Sequence, residues 1–258
     1  MKPAILLLMT ILVGFGQSAV ELPKYEVASI KPNTDGEFLF AFRIEPSGSL
    51  AATGITLKRL MMTAYNIQGF RLFGGPGWVA SRRWDVQAKP SRAALPDEIR
   101  PMLRALLEDR FQLHTPSETR NMPLYELVVD RDGSKVPTAK DAKAEPIVRV
   151  ATGSIEFTNN TSAAFASQLS YALAQPVIDK TGLSGKFDFA IRWTPEPGED
   201  GGPTTSGLPI GTPALPPSIL DGPSIFTAIR EQLGLRLKSG RGPVNVVTID
   251  GVQLPTAN

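Results

Sequence analysis

A chain of 258 residues with 42% hydrophobic and 20% charged side chains has the make-up of a globular protein large enough to bury a core. Its 27 basic and 25 acidic residues nearly cancel, and no basic stripe with interleaved aromatics occurs, which argues against a nucleic-acid partner. The absence of cysteine excludes disulfides, thiolate metal sites and a cysteine nucleophile. The single histidine, His114, excludes a His-rich metal site and would have to serve any Ser-His-Asp triad.

At the start of the chain, Lys2, the apolar run over 4–15 and the small or polar Gly16, Gln17, Ser18 and Ala19 read as a secretory signal peptide over 1–19. That run falls short of the roughly 20 residues a spanning helix needs, and no later stretch is long enough. The expectation is an exported protein, periplasmic or extracellular, with no membrane span after signal cleavage.

Residues 25–31 alternate apolar and polar side chains, the pattern of a half-buried strand, and 38–44 read as a second strand. From Thr56 onward, Leu57, Leu60, Met61 and Ala64 recur at helical spacing, with Thr56 placed to cap the first turn. Gly74-Gly75-Pro76-Gly77 is a turn cluster leading into a strand over 84–88. Asp97 is placed to cap a helix running to about Arg110, striped by Met102, Leu103, Leu106 and Leu107 and with Pro101 in its first turn. Strands are expected at 111–113 and 124–129. Further on, 147–150 and 155–157 are strand-like, and Thr161 or Ser162 caps a helix lined by Phe165, Leu169, Ala172 and Leu173. Strands at 177–178 and 187–193, a helix over 224–233 stopped by Gly234, and a strand over 244–249 complete the chain.

The same phrases occur twice in the same order. Gly48-Ser49-Leu50, the helix from Thr56, Trp84-Asp85-Val86, Ala105-x-x-Glu108 and the run from Pro123 to Asp130 form the first set. Gly153-Ser154-Ile155, the helix from Thr161, Phe187-Asp188-Phe189, Ala228-x-x-Glu231 and the run from Pro243 to Asp250 form the second. We expect an α+β fold of two related strand-helix-strand-helix-strand-strand units, 20–130 and 146–258, with antiparallel or mixed sheets and a polar linker over 131–145. Residues 195–218 break the correspondence: 12 of 24 are Gly or Pro, so this segment is expected to be a mobile surface loop.

Candidate chemistry is sparse. No phosphate-binding Gly-rich loop ends in Lys-Ser or Lys-Thr. Asp179-Lys180-Thr181-Gly182 matches the phosphorylated motif of ion-pumping ATPases only superficially, and it reads as turn chemistry with Gly182 or Gly185 at positive φ. Asp85 and Asp188, at equivalent places in the two sets, are the candidate acid pair for a carboxylate-dependent cell-envelope hydrolase. Trp78, Trp84 and Tyr65 near Arg82 are candidates for a ligand-stacking platform. No cofactor and no metal site is expected.

Six ordered phrases together resemble the soil-associated family of exported bacterial proteins, DUF3738. They are Tyr25-Glu-Val-Ala-Ser-Ile-Lys-Pro-Asn33, Gly74-Gly-Pro-Gly-Trp78, Asp109-Arg-Phe-Gln-Leu113, the run from Pro176 to Asp188, Glu231-Gln-Leu-Gly-Leu235 and the ending from Ile249 to Asn258. The resemblance implies no named activity. Similar domains joined to membrane metallopeptidases of the antibiotic-sensor type imply an extracytoplasmic sensing or interaction role. Gln175 stands where the family pattern carries Arg before Pro-Val, which argues against an anion site at that turn. The expected function is therefore an exported, non-enzymatic binding or sensing module for a protein or small-molecule ligand outside the cytoplasm. The alternatives are the hydrolase and an oligomerising structural envelope component. The oligomeric state is open.

Overall fold

The computed structural model describes residues 23–34, 40–194 and 222–255. The expected signal segment 1–19 and the expected loop 195–218 lie outside the described residues. The fold is α+β, with helices laid against antiparallel and mixed sheets.

In the first half, β1 (Tyr25–Pro32), β2 (Ala41–Ile44), β3 (Leu50–Thr56) and β5 (Arg83–Pro90) form an antiparallel sheet in the order β1-β5-β3-β2. The helix α1 (Leu57–Tyr65) starts where expected, because the Thr56 hydroxyl accepts the Arg59 N–H and closes the first turn. Its buried stripe is Leu57, Leu60, Met61 and Ala64. After α1 come a short 3-10 turn (Gly69–Arg71), β4 (Leu72–Gly74) and a single-turn helix, α2 (Trp78–Ser81). The longer α3 (Ile99–Phe111) packs Leu103, Leu106, Leu107 and Phe111 into the same core.

The second half carries a smaller sheet. Its antiparallel sheet runs β10 (Phe187–Arg192), β8 (Ser154–Asn160), β7 (Ile147–Ala151). The helix α4 (Ser162–Ala172) is capped by the Thr161 hydroxyl, which accepts the Ala164 N–H. A short strand, β9 (Val177–Asp179), follows. The last helix, α5 (Ile225–Leu233), is capped by Ser224 and ends at Gly234 in a left-handed conformation. Phe157, Phe165, Leu169, Ile191, Ile229 and Leu233 are among the buried residues of a second core.

Two long strands join the halves. β6 (Ser117–Val129) and β11 (Leu235–Ile249) pair antiparallel along their length, with β4 parallel to β11 on one edge and β9 parallel to β6 on the other. The ladder has a local twofold at the Met122–Gly242 pair: Pro123 faces Arg241, and its counterpart Pro243 faces Asn121. The Asp130 N–H donates to the Gly234 carbonyl and, at the mirrored place, the Asp250 N–H donates to the His114 carbonyl. Each half therefore completes the other. Leu127 of β6 lies in the second core, and Val247 and Ile249 of β11 lie in the first.

Three expectations are corrected. The ladder strands are longer than the expected 124–129 and 244–249, and β11 runs on through Lys238-Ser239-Gly240-Arg241-Gly242-Pro243; the two glycines leave room for Leu124, since a Cβ on Gly242 would stand 3.0 Å from its Cδ2. Residues 111–113 are not a strand, because Phe111 closes α3 and Gln112 takes φ 46°. The start of α3 is organised by Glu98 rather than Asp97: the Glu98 carboxylate accepts the Leu95 N–H at 2.8 Å and pairs with Arg92. The polar stretch 131–145, the expected linker, lies docked along β10. Thr138 bridges Phe187, the Ala139 N–H reaches the Lys186 carbonyl and Val136 packs on the second core. It occupies the place that β1 holds in the first half, where Pro32 faces Trp84 and the Asn33 N–H reaches the Arg83 carbonyl.

Candidate functional site

Alternation along the ladder puts Thr119, Asn121 and Pro123 of β6 on one face with Arg241, Pro243 and Asn245 of β11, and all six are exposed. The two cores cover the ends of this face and leave its middle open. One wall is the end of α1 with the turn after it, and the other is α4 with the strand β9. The opening holds two adjoining hollows of about 370 and 520 Å³. Arg71 and Asn245 line both of them.

Arg71 is half-buried, and loss of water around it pulls its guanidinium pKa below the usual value, against a raising influence from Tyr171. Its Nε donates to the Asn245 carbonyl at 2.7 Å and its Nη1 to the Gln68 side-chain oxygen at 3.3 Å. Those bonds engage two of the five N–H groups a guanidinium carries. Arg104 lines the larger hollow, donates through Nε to the Ala64 carbonyl at 2.8 Å and lies over the Tyr65 ring at 4.9 Å. Among the described residues neither arginine forms an ion pair. The nearest carboxylates are engaged elsewhere. Glu118 points to the other face of the ladder, where Thr248 and Arg120 donate to it and hold its carboxyl below the usual range. At Asp179 burial pushes the carboxyl up, but donors on Ser162 and Thr181 outweigh it and hold it low.

A family model described as a protein of unknown function, DUF3738, matches residues 58–252, a span that holds the ladder and both walls of the opening. The chain belongs to the DUF3738 family. No curated protein and no solved structure matches it.

In this DUF3738 chain the residues singled out from the sequence are dispersed. Trp84 is only 1% exposed and packs edge-on against Phe111 with ring centroids 5.5 Å apart. Trp78 stacks on Phe111 at 6.5 Å and is half-buried against the same core. Trp84 is a core residue with Trp78 half-buried beside it, and exposed Arg82 lies over the Trp84 ring at 5.0 Å, so the two tryptophans do not share one exposed face. Tyr65 alone of the four lines the opening, and its hydroxyl shares a 2.6 Å hydrogen bond with Thr115.

The acid pair is also corrected. Asp85 lies on β5 and Asp188 on β10, in different sheets, and each carboxylate accepts backbone or amide N–H groups. Asp85 takes the Gly54 N–H at 2.9 Å and the Asn33 side-chain amide at 2.8 Å. Asp188 takes the Asn159 N–H at 2.8 Å and the Lys140 N–H at 2.9 Å. Gly54 and Asn159 have φ of 63° and 52°, and both lie where the register slips in a β-bulge. A bulge turns an amide out of the ladder, and the aspartate supplies its acceptor. Each aspartate thus serves a bulge amide within its own sheet. His114 is exposed and joins Gly251 through its backbone. Gly182 and Gly185 both have positive φ, as turn chemistry requires. Among the described residues no three His, Asp or Glu side chains gather as a metal site would need.

Sequence reasoning missed Arg71, Arg104 and Asn245. They come from a short turn, a helix and a strand far apart in the chain, and each is an ordinary polar residue in its local pattern.

Proposed function

We propose that this protein is an exported, non-enzymatic binding module, built from two copies of one ancestral unit, which holds its ligand in the opening across the β6–β11 ladder. The observation that carries the reading is this opening itself: both halves wall it, its floor is polar and exposed, and it sits where two packed bodies meet, a common setting for ligand sites. The alternative of carboxylate hydrolysis loses its residues, since Asp85 and Asp188 are committed to backbone amides in separate sheets.

The test is an amide NMR screen of the chain from Val20 against pooled sugars, amino acids, short peptides and organic acids. Binding should move the resonances of Arg71, Ser167 and Asn245. Ligand shifts confined to other surfaces would overturn the reading. So would hydrolysis of envelope material that is abolished by both Asp85→Asn and Asp188→Asn. Export is checked by fractionating cells that express the full chain with a C-terminal tag. The tagged protein should leave the cytoplasm with an N-terminus near Val20, and an intact N-terminus in the cytoplasm would refute it.

A further inference from the structure

We infer that the opening takes a small organic acid, its carboxylate held between Arg71 and Arg104 and its uncharged part lying in the smaller hollow. The inference rests on the reading of the opening as the binding site and names what would fill it. Three lines of geometry converge on an anion.

First, both arginines are fixed through Nε to backbone carbonyls, of Asn245 and Ala64, and this aims the guanidinium while leaving terminal N–H groups without a partner among the described residues. A planar fork pre-positioned in this way suits a carboxylate, which can accept two parallel hydrogen bonds. Second, the side-chain charge of the larger hollow is positive. Glu118, the acidic residue along its rim, is turned to the opposite face and held by Arg120 and Thr248. Third, the Ser117 hydroxyl borders the same hollow and adds a donor of the kind that completes carboxylate recognition, while the Thr119 hydroxyl donates to the Asn245 side-chain oxygen at 3.0 Å and fixes that amide.

The smaller hollow supplies the other half of the ligand's description. It is walled by Phe70, Ala166, Pro176 and Val177 and contains Asp179, whose carboxylate is taken up by Thr181. An uncharged aromatic or aliphatic group fits that wall, whereas a second negative charge there would meet Asp179. Arg71 belongs to both hollows, so one molecule can place its acid group on Arg71 and extend its body along α4. A phosphate dianion has no such body and carries a larger desolvation penalty beside a half-buried cation.

The probes are sodium benzoate, neutral benzamide and inorganic phosphate, each titrated to about 20 mM against the amide spectrum of the mature chain, since a fragment of this size binds on the order of millimolar. Benzoate should shift Arg71, Asn245 and residues of α4, while benzamide and phosphate leave them in place. Arg71→Ala and Arg104→Gln should each weaken benzoate binding by about tenfold or more, with the remaining spectrum unchanged as proof of folding. Raising NaCl from about 50 to about 500 mM should weaken it as well. Equal binding of benzamide would overturn the role of charge and leave the opening as a site for neutral ligands. Phosphate binding without benzoate would overturn the organic acid. The absence of cleft shifts with any probe would overturn the inference, and only a pooled screen that also misses the opening would remove the binding site itself.

Discussion

At Gly54 and Asn159 a single left-handed residue sits two positions before each capping threonine, and an aspartate on the neighbouring strand takes its amide. Removing that acceptor leaves a turned-out N–H without a partner. Asp85→Ala should therefore cost about 1–3 kcal/mol, read as a lower urea midpoint, with no loss from any surface aspartate such as Asp97 used as control. At Asp188 the bonds from Lys140 and Asn159 hold the carboxyl below its usual range, so folding favours the charged form. That contribution is present above the unfolded carboxylate pKa of about 3.9 and is lost as pH falls through the lower folded value. Wild type should accordingly lose urea stability more steeply than Asp188→Asn below about pH 4, and parallel profiles would refute it. The equivalence of the two aspartates was legible in the sequence, as was the tolerance of Gly and Asn for left-handed backbone. Their role was not, because the amide each one serves lies on another strand 31 and 29 residues away.

Elements whose signal is local were readable, and those that depend on a distant partner were not. The helices α1 and α5 begin at the expected Thr56 and Ser224, and α4 at Thr161, one of its two expected caps, since a cap and an apolar stripe are both written within one turn. β3 and β4 were missed: Leu-Ala-Ala-Thr-Gly-Ile-Thr and Leu-Phe-Gly carry little strand character, and pairing with β5 and β11 makes them strands. The end of α5 gives a direct test of such distant constraint. Gly234 has φ 62°, and a Cβ there would run into the Gly133 carbonyl oxygen and stand 3.0 Å from the Lys135 N. Gly182 has a similar φ, 68°, with open space around it. Both alanine variants carry the backbone cost of about 1–2 kcal/mol, and Gly234→Ala should lower the melting temperature clearly further. Equal effects would show that the docked segment 131–145 yields without resistance.

Across the whole molecule, two cores share one ladder. Neither half owns a complete core, because Val247 and Ile249 from the last strand pack with α1 and α3, and Leu127 from β6 packs with α4 and α5. Thermal unfolding should then be one cooperative transition. Residues 20–130 and 131–258 produced separately should each give collapsed, poorly dispersed amide spectra, and mixing them should restore the native spectrum. A first half that folds alone would contradict the shared ladder. The opening between the cores was the least legible feature, since Arg71, Arg104 and Asn245 meet only once both halves are in place. The same crossed construction sets an order of events at birth. A chain emerging N-terminus first, from a ribosome or through a translocation channel, cannot seal its first core until Ile249 has come through, so it stays threadable until both halves have emerged.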